Sequence, residues 1–461
     1  MKKMIKWIAA AAWIVQTAAA NESPRPNVLF IAIDDLRPEL GCYGDSIVKS
    51  PNIDKLASQG MVFDRAYCQV AVCGASRASM MTGILPTKTR FVNHLAQADT
   101  DTPNAVTMAQ VFKEAGYTTM ANGKIFHTST DTAARSWSRP VIGSGITHTT
   151  SLHPATTNSV SKRGFGLFYE CVEAADNAYG DGKVAEQTIS DLRKLKESGK
   201  PFFLGCGFIR PHLPFYAPKK YWDLYDEAAI PLAPNPYRPK DAPKSLRTIK
   251  EYKSYALGDF DDSTTAFQRK MRHGYFASTS YADKLAGDVL NELEKLGLAD
   301  HTIVVIWGDH GWQLGEHTFW GKHNTTHNSM RIPLIVKVPG KAAGTKTEAL
   351  TAAVDIFPTL CELAGLNIPD SVQGKSFAAV LNKPDTKINE VVYNRFKSAD
   401  AVITDRFTYT LFENGEEMLY DLKKDPQENR NIAGNPEYSK TLKTLRKQLK
   451  EQMTAAQTAV F

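Results

Sequence analysis

Cysteine is scarce: 461 residues hold only six, at positions 42, 68, 73, 171, 206 and 361, and no two form a C-x-x-C pair. A metal centre built on a cysteine cluster is therefore unsupported. Setting one cysteine aside for chemistry leaves an odd number, so no disulfide is assigned. Blocks of like charge are also missing. The formal charge is +6, and +3 once the three lysines of residues 1–20 are removed. That mild excess gives no basic groove for nucleic acid. Repeats and low-complexity tracts are absent. Beyond the N-terminus no apolar run reaches about 18 residues, which excludes a later spanning helix.

What is present is ordinary globular composition, 43% hydrophobic and 23% charged, enough for a large core. The length suits two or three domains, or one large α/β domain with a small appendage. Residues 1–20 read as an export signal. Lys2, Lys3 and Lys6 precede the apolar stretch Trp7 to Val15, and Ala18-Ala19-Ala20 form a small-residue cleavage site. The mature protein is expected to be periplasmic or secreted, without a stable membrane anchor.

Val28 to Ile33 is a continuous apolar run, as in a strand buried on both faces, and the pattern recurs at Pro201 to Phe208, Thr302 to Trp307 and Leu334 to Val338. Amphipathic segments such as Ala105 to Ala115 and Tyr281 to Leu296 lie between. This alternation predicts an α/β fold, a large mainly parallel sheet sandwiched by helices, over residues 21–384. From about Asp385 short strand-like runs (Val391 to Tyr393, Ala401 to Ile403, Phe407 to Leu411) lead to a Lys-rich helix, Glu437 to Gln457. Residues 385–461 are thus expected to form a smaller antiparallel α+β unit. The Pro-rich stretch Pro231 to Pro243 reads as an irregular surface insertion.

Three constellations carry chemistry. Asp34-Asp35 follows the first strand, where ligands of open α/β sheets bind, and adjacent carboxylates suit a hard divalent cation or simply cap a turn. Asp309-His310-Gly311 repeats the arrangement after another buried strand; oxygen-rich ligation favours calcium or magnesium, while the imidazole keeps a transition metal open. Cys73 stands close to Arg77 near a helix start, which suits a reactive thiol, although a lone cysteine is more often structural.

Cys73-x-Ala75-Ser76-Arg77-x-x-x-Met81-Thr82-Gly83 resembles the sulfatase signature C-x-[PA]-S-R-x-x-x-[LM]-T-G, and Gly116-Tyr117-x-Thr119-x-x-x-Gly123-Lys124 resembles the family's second signature. The resemblance runs from Asn27 to about Ile432, with the alkaline-phosphatase-like fold that it implies. Asp35 to Asp45, Gly123 to His127, Arg210 to Phe215 and Asp309 to His317 look most like the branch of iduronate 2-sulfatase and bacterial hexuronate 2-O-sulfatases.

The resemblance implies that a maturase oxidises Cys73 to formylglycine, and that Asp34, Asp35, Asp309, His310 and residue 73 bind one Ca²⁺. A hydroxyl of the hydrated aldehyde would attack sulfur, aided by the metal. Arg77, Lys124 and Lys322 would surround the sulfate. His212 would protonate the leaving sugar oxygen, and His127 would deprotonate the second hydroxyl to expel sulfate. Trp312, His317, His323 and His327 are weaker candidates for the substrate pocket; core or loop positions are the plainer reading. The expected substrate is a 2-O-sulfated uronic acid of a sulfated polysaccharide, such as glycosaminoglycan or ulvan fragments. The alternatives are a phosphodiesterase or phosphonate monoester hydrolase of the same superfamily, and a sulfated-glycan-binding protein without catalysis. The insertion Thr128 to Arg163 fits the branch poorly, so the sugar pocket is expected to differ there.

Overall fold

The computed structural model describes residues 25–143, 149–153, 156, 159–341 and 343–461. The expected signal segment, residues 1–20, lies outside them. No helix among the described residues is long and apolar enough to cross a membrane.

Strand β1, Asn27–Ile33, shows why the chain layers as it does. Val28, Phe30 and Ala32 belong to one apolar cluster, while Leu29, Ile31 and Ile33 belong to another. Successive side chains of a strand point to opposite faces, so both faces of this strand are covered. The sheet it centres has seven strands. In chain order they are β1, β2 (Met61–Phe63), β3 (Thr118–Gly123), β4 (Phe202–Phe208), β5 (Thr302–Gly308), β6 (Leu334–Lys337) and β7 (Thr345–Thr347). Their spatial order is β7-β2-β6-β5-β1-β4-β3. Only β6 runs against its neighbours, pairing antiparallel with both β5 and β2. The mainly parallel expectation is met, and the fourth apolar run of the sequence is the reversed strand.

Helices α1 (Pro51–Gln59), α4 (Gly180–Ser198) and α5 (Thr265–Lys295) cover one face. The other is covered by α2 (Cys73–Thr82), α3 (Met108–Glu114) and α6 (Ile356–Leu363). The expected helix Tyr281 to Leu296 is the second half of α5, which spans 31 residues.

An antiparallel sheet follows: β8 (Val392–Phe396), β9 (Ala399–Ile403), β10 (Phe407–Phe412) and β11 (Glu417–Asp421), then helix α7 (Ser439–Gln457). Leu442, Leu445 and Leu449 of α7 join the same apolar cluster as α2 and α3, so this unit shares its core with the large sheet. The stretch Pro231 to Pro243 is irregular but not confined to the surface. Asn235 is buried and donates to Asn429, which ties the stretch to the C-terminal unit.

Candidate active site

Register places the chemistry. Ile33 of β1 pairs with Gly308 of β5 and Phe208 of β4, and Gly207 of β4 pairs with Gly123 of β3. The four strands therefore end together, and the residues that follow them, Asp34-Asp35, Asp309-His310 and Lys124, emerge at one edge. Helix α2 starts against this edge with Cys73 as its first residue. Ser76 Oγ donates to the Asp309 carbonyl, and Arg77 Nε donates to Asp309 Oδ2 at 2.9 Å. These bonds fix the helix start relative to β5. Gly74 lets the backbone at His94 pack against the helix start: a Cβ there would lie 2.1 Å from the His94 carbonyl oxygen.

Asp34, Asp35, Cys73 and His310 each bring one ligand atom within 4.8 Å of the others, all buried. Asp34 Oδ1 and Asp35 Oδ2 accept no hydrogen bond although fully buried. Unsatisfied buried carboxylate oxygens are costly, and a hard cation is the partner that suits them. His310 Nδ1 lies 3.0 Å from the Gly311 carbonyl, which can only accept, so the proton sits on Nδ1 and Nε2 faces Cys73 Sγ at 3.5 Å. These residues fit a metal ion. Asp309 stands beside the group rather than within it: Oδ1 accepts from the Asp35 amide at 3.1 Å and Oδ2 binds Arg77.

Three cations balance the acids. Lys124 Nζ donates to Asp34, Lys322 Nζ to Asp35 Oδ1 at 2.7 Å, and Arg77 is fully buried with Nη2 3.6 Å from Asp34 Oδ1. Burial pushes the Asp34 carboxyl up, but Lys124, His212 and Arg77 together hold it well below the usual range. For Asp35 burial prevails, with help from the Asp34 charge, and the carboxyl is raised. Asp309 is lifted to about 7, chiefly by burial against the pull of Arg77. Burial and Asp34 raise the Cys73 thiol, yet Lys124, Lys322 and a hydrogen bond with His127 bring it well below its ordinary value. Position 73 is therefore an electropositive pocket suited to a developing anion. Burial lowers the His212 imidazole, and Asp35 and Glu251 reverse this to well above its usual value.

The site thus brings together Asp34, Asp35, Cys73, Arg77, Lys124, His127, His212, Asp309, His310 and Lys322. A cleft of about 420 Å³ opens beside Lys124, His127 and His212, lined further by Phe126, Tyr179 and Arg210. Trp312 and His317 do not reach it. Trp312 is fully buried, with the Lys322 ammonium 4.9 Å from its ring centroid, and so supports a cation from below. His317 is 1% exposed and bonds the Gln427 carbonyl at 2.9 Å, in the join to the C-terminal unit. His323 lies close to Lys322, its ring 5.6 Å from that of Phe396, and burial lowers it to about 3. His327 stacks edge-on to Tyr67 at 5.6 Å, in a separate cavity with Arg65 and Arg331. Sequence reasoning passes over Glu251, whose Oε1 lies 3.2 Å from His212 Nε2 and Oε2 3.3 Å from Lys322 Nζ. No local pattern marks it.

A family model described as sulfatase matches residues 26–366, and one described as the C-terminal part of N-sulphoglucosamine sulphohydrolase matches residues 315–455. The chain belongs to the sulfatase family. It is a sulfuric ester hydrolase with a candidate metal site of aspartates and a histidine. Iduronate 2-sulfatase of Mus musculus is 37% identical to this sulfatase over 395 residues, covering 76% of this chain and 71% of that one. A phosphonate monoester hydrolase of Agrobacterium radiobacter superposes with a TM-score of 0.77 at 23% identity, covering 94% and 96% of the two chains. A structure solved with D-glucosamine-2-N,6-O-disulfate as its substrate superposes with a TM-score of 0.75 at 22% identity, covering 94% and 98%. The two superpositions speak for the fold alone.

Proposed function

We propose that this sulfatase removes the 2-O-sulfate of a uronic acid in a sulfated polysaccharide or its oligosaccharides, with Cys73 oxidised to formylglycine and Ca²⁺ as the metal. The observation that carries the chemistry is the convergence of Asp34, Asp35, Cys73 and His310 within 4.8 Å, ringed by Arg77, Lys124 and Lys322. The likeness to iduronate 2-sulfatase supports the substrate class.

Asp34, Asp35, His310 and residue 73 would hold the cation, with Asp309 beside them. When bound there, the cation would acidify a hydroxyl of residue 73 and neutralise sulfate charge. Arg77, Lys124 and Lys322 bind sulfate oxygens where charge accumulates. All of these groups except the edge of Lys124 are buried, which strengthens each charge–charge interaction among them. His212 Nδ1 donates to the Leu213 carbonyl, which leaves Nε2 to carry a proton to the leaving oxygen. His127, hydrogen-bonded to the side chain of residue 73, would take the proton of its second hydroxyl as the C–O bond to sulfate breaks, releasing sulfate and restoring the aldehyde.

The test is desulfation of a panel of sulfated disaccharides, 2-sulfated uronates beside 6-sulfated hexosamines, with a phosphodiester alongside. Preference for the 2-sulfated uronate, lost on chelation and restored by Ca²⁺, is the expected result. Preference for the 6-sulfated hexosamine would overturn the substrate, and faster phosphodiester cleavage would favour the phosphonate-hydrolase alternative.

A further inference from the structure

Residues 248–255 cross the His212 side of the site as a strap. Thr248 Oγ1 donates to the Lys322 carbonyl at 3.1 Å. Tyr255 Oη donates at 3.2 Å to the Leu213 carbonyl, the same oxygen that takes the His212 Nδ1 proton. Between them Glu251–Ser254 forms a single 3-10 turn that turns the Glu251 carboxylate inward. One oxygen meets His212 Nε2 at 3.2 Å and the other meets Lys322 Nζ at 3.3 Å. One acid therefore spans the candidate proton donor and one of the candidate sulfate-binding cations. The imidazole is held at both nitrogens, by the Leu213 carbonyl and by Glu251; Asp35 Oδ2, at 3.9 Å, is the more distant acid.

Resting on the sulfatase reading, we infer that Glu251 is a positioning residue: it holds the His212 ring and its Nε2 proton in place, at a fixed distance from Lys322, until the leaving oxygen takes over that hydrogen bond. When the S–O bond breaks, its electron pair stays on the sugar oxygen, which takes the Nε2 proton, while the sulfuryl group passes to the nucleophile proposed at position 73. An alkoxide is a poor leaving group and needs that proton. A nitrophenolate-type group leaves with much less help. Loss of aim at His212 is therefore felt mainly with sugar sulfates, whereas general damage to the site is felt equally by both substrate types.

The experiment compares wild type, Glu251→Gln, Glu251→Ala, His212→Ala and the double variant Glu251→Ala/His212→Ala. Each is assayed for kcat on nitrocatechol sulfate and on the panel disaccharide that wild type cleaves fastest. Glu251→Ala is expected to lose about 10²-fold on the disaccharide and at least tenfold less on nitrocatechol sulfate, the scale of a misaimed general acid. Glu251→Gln, which keeps an acceptor oxygen, falls between wild type and Ala, and supplies the ratio should Ala fail to fold. The double variant should be no slower than His212→Ala, because the two residues act as a unit. Equal losses on both substrates, or losses that multiply in the double variant, would overturn the role of Glu251. Wild type that cleaves neither ester would remove the sulfatase reading itself, a result distinct from a functional wild type with proportionate losses.

Discussion

At the scale of single residues the site is a balance of buried charge. Lys322 shows the balance best, because it touches Asp35 and Glu251 and sits over Trp312. Burial opposes its charge, yet Asp35, Cys73 and Glu251 raise its ammonium well above the ordinary value, so it stays charged throughout the working range. Lys322→Ala removes one preorganised cation from the proposed sulfate pocket and leaves two acids short of a partner. The expected loss in kcat is about 10²- to 10³-fold, as for removal of one oxyanion donor, with KM changed less. Steady-state kinetics on the preferred disaccharide checks it. Asp34, Asp35, Cys73, Arg77 and His310 are legible in the sequence because each sits in an unbroken local motif at a strand end or helix start. Glu251 is not, since its importance comes from His212 and Lys322, two partners remote in the chain, rather than from its own surroundings.

At the scale of elements, glycines on the inner strands set how closely the catalytic loops approach. A Cβ on Gly207 would lie 2.3 Å from the backbone carbon and oxygen of Lys124. Gly207→Ala must therefore push the Lys124 backbone away from β4, and with it the ammonium that reaches Asp34. A displacement of this kind is expected to cost about 10²-fold in kcat/KM, with a lowered melting temperature from overpacking. Kinetics and a thermal melt on one sample would check both. The buried strands are readable because their apolar runs are continuous. Strand β11, Glu417–Asp421, escapes a sequence reading because its ends are acidic and it follows a turn without a long apolar run. The first half of α5 escapes it because polar residues such as Gln268, Arg269, Lys270 and Arg272 interrupt its apolar stripe. Tertiary packing against the sheet, not local periodicity, completes that helix.

At the scale of the whole molecule, the join between the large sheet and the C-terminal unit makes stability depend on pH. His327 donates its backbone N–H to Glu428 of the C-terminal unit at 2.8 Å, and burial lowers its imidazole from 6.5 to about 3. In the unfolded chain this ring takes up a proton as pH falls through 6.5; in the folded chain it does so only near 3. At this ring the unfolded state thus binds more protons between those limits, so its contribution to stability is full above pH 6.5 and falls as pH drops across the window, whereas Glu428, raised by burial from 4.5 to about 7, contributes in the opposite sense. His327→Phe removes that proton uptake while keeping an aromatic ring against Tyr67. Between neutral and mildly acidic buffer its melting temperature should fall less than that of wild type; a fall as steep as wild type would contradict the assignment. The α/β layering and the separate C-terminal unit are visible in sequence texture, whereas the shared core between them is not, because α7 reveals its partner only once folded.

The proposed chemistry requires residue 73 to be a formylglycine in the working enzyme. Mass spectrometry of the peptide containing Cys73, taken from active protein, tests it most directly. The expected residue is one in which sulfur and two hydrogens of the cysteine side chain are replaced by one oxygen, in proportion to specific activity. Fully active protein with an intact thiol at position 73 would contradict it.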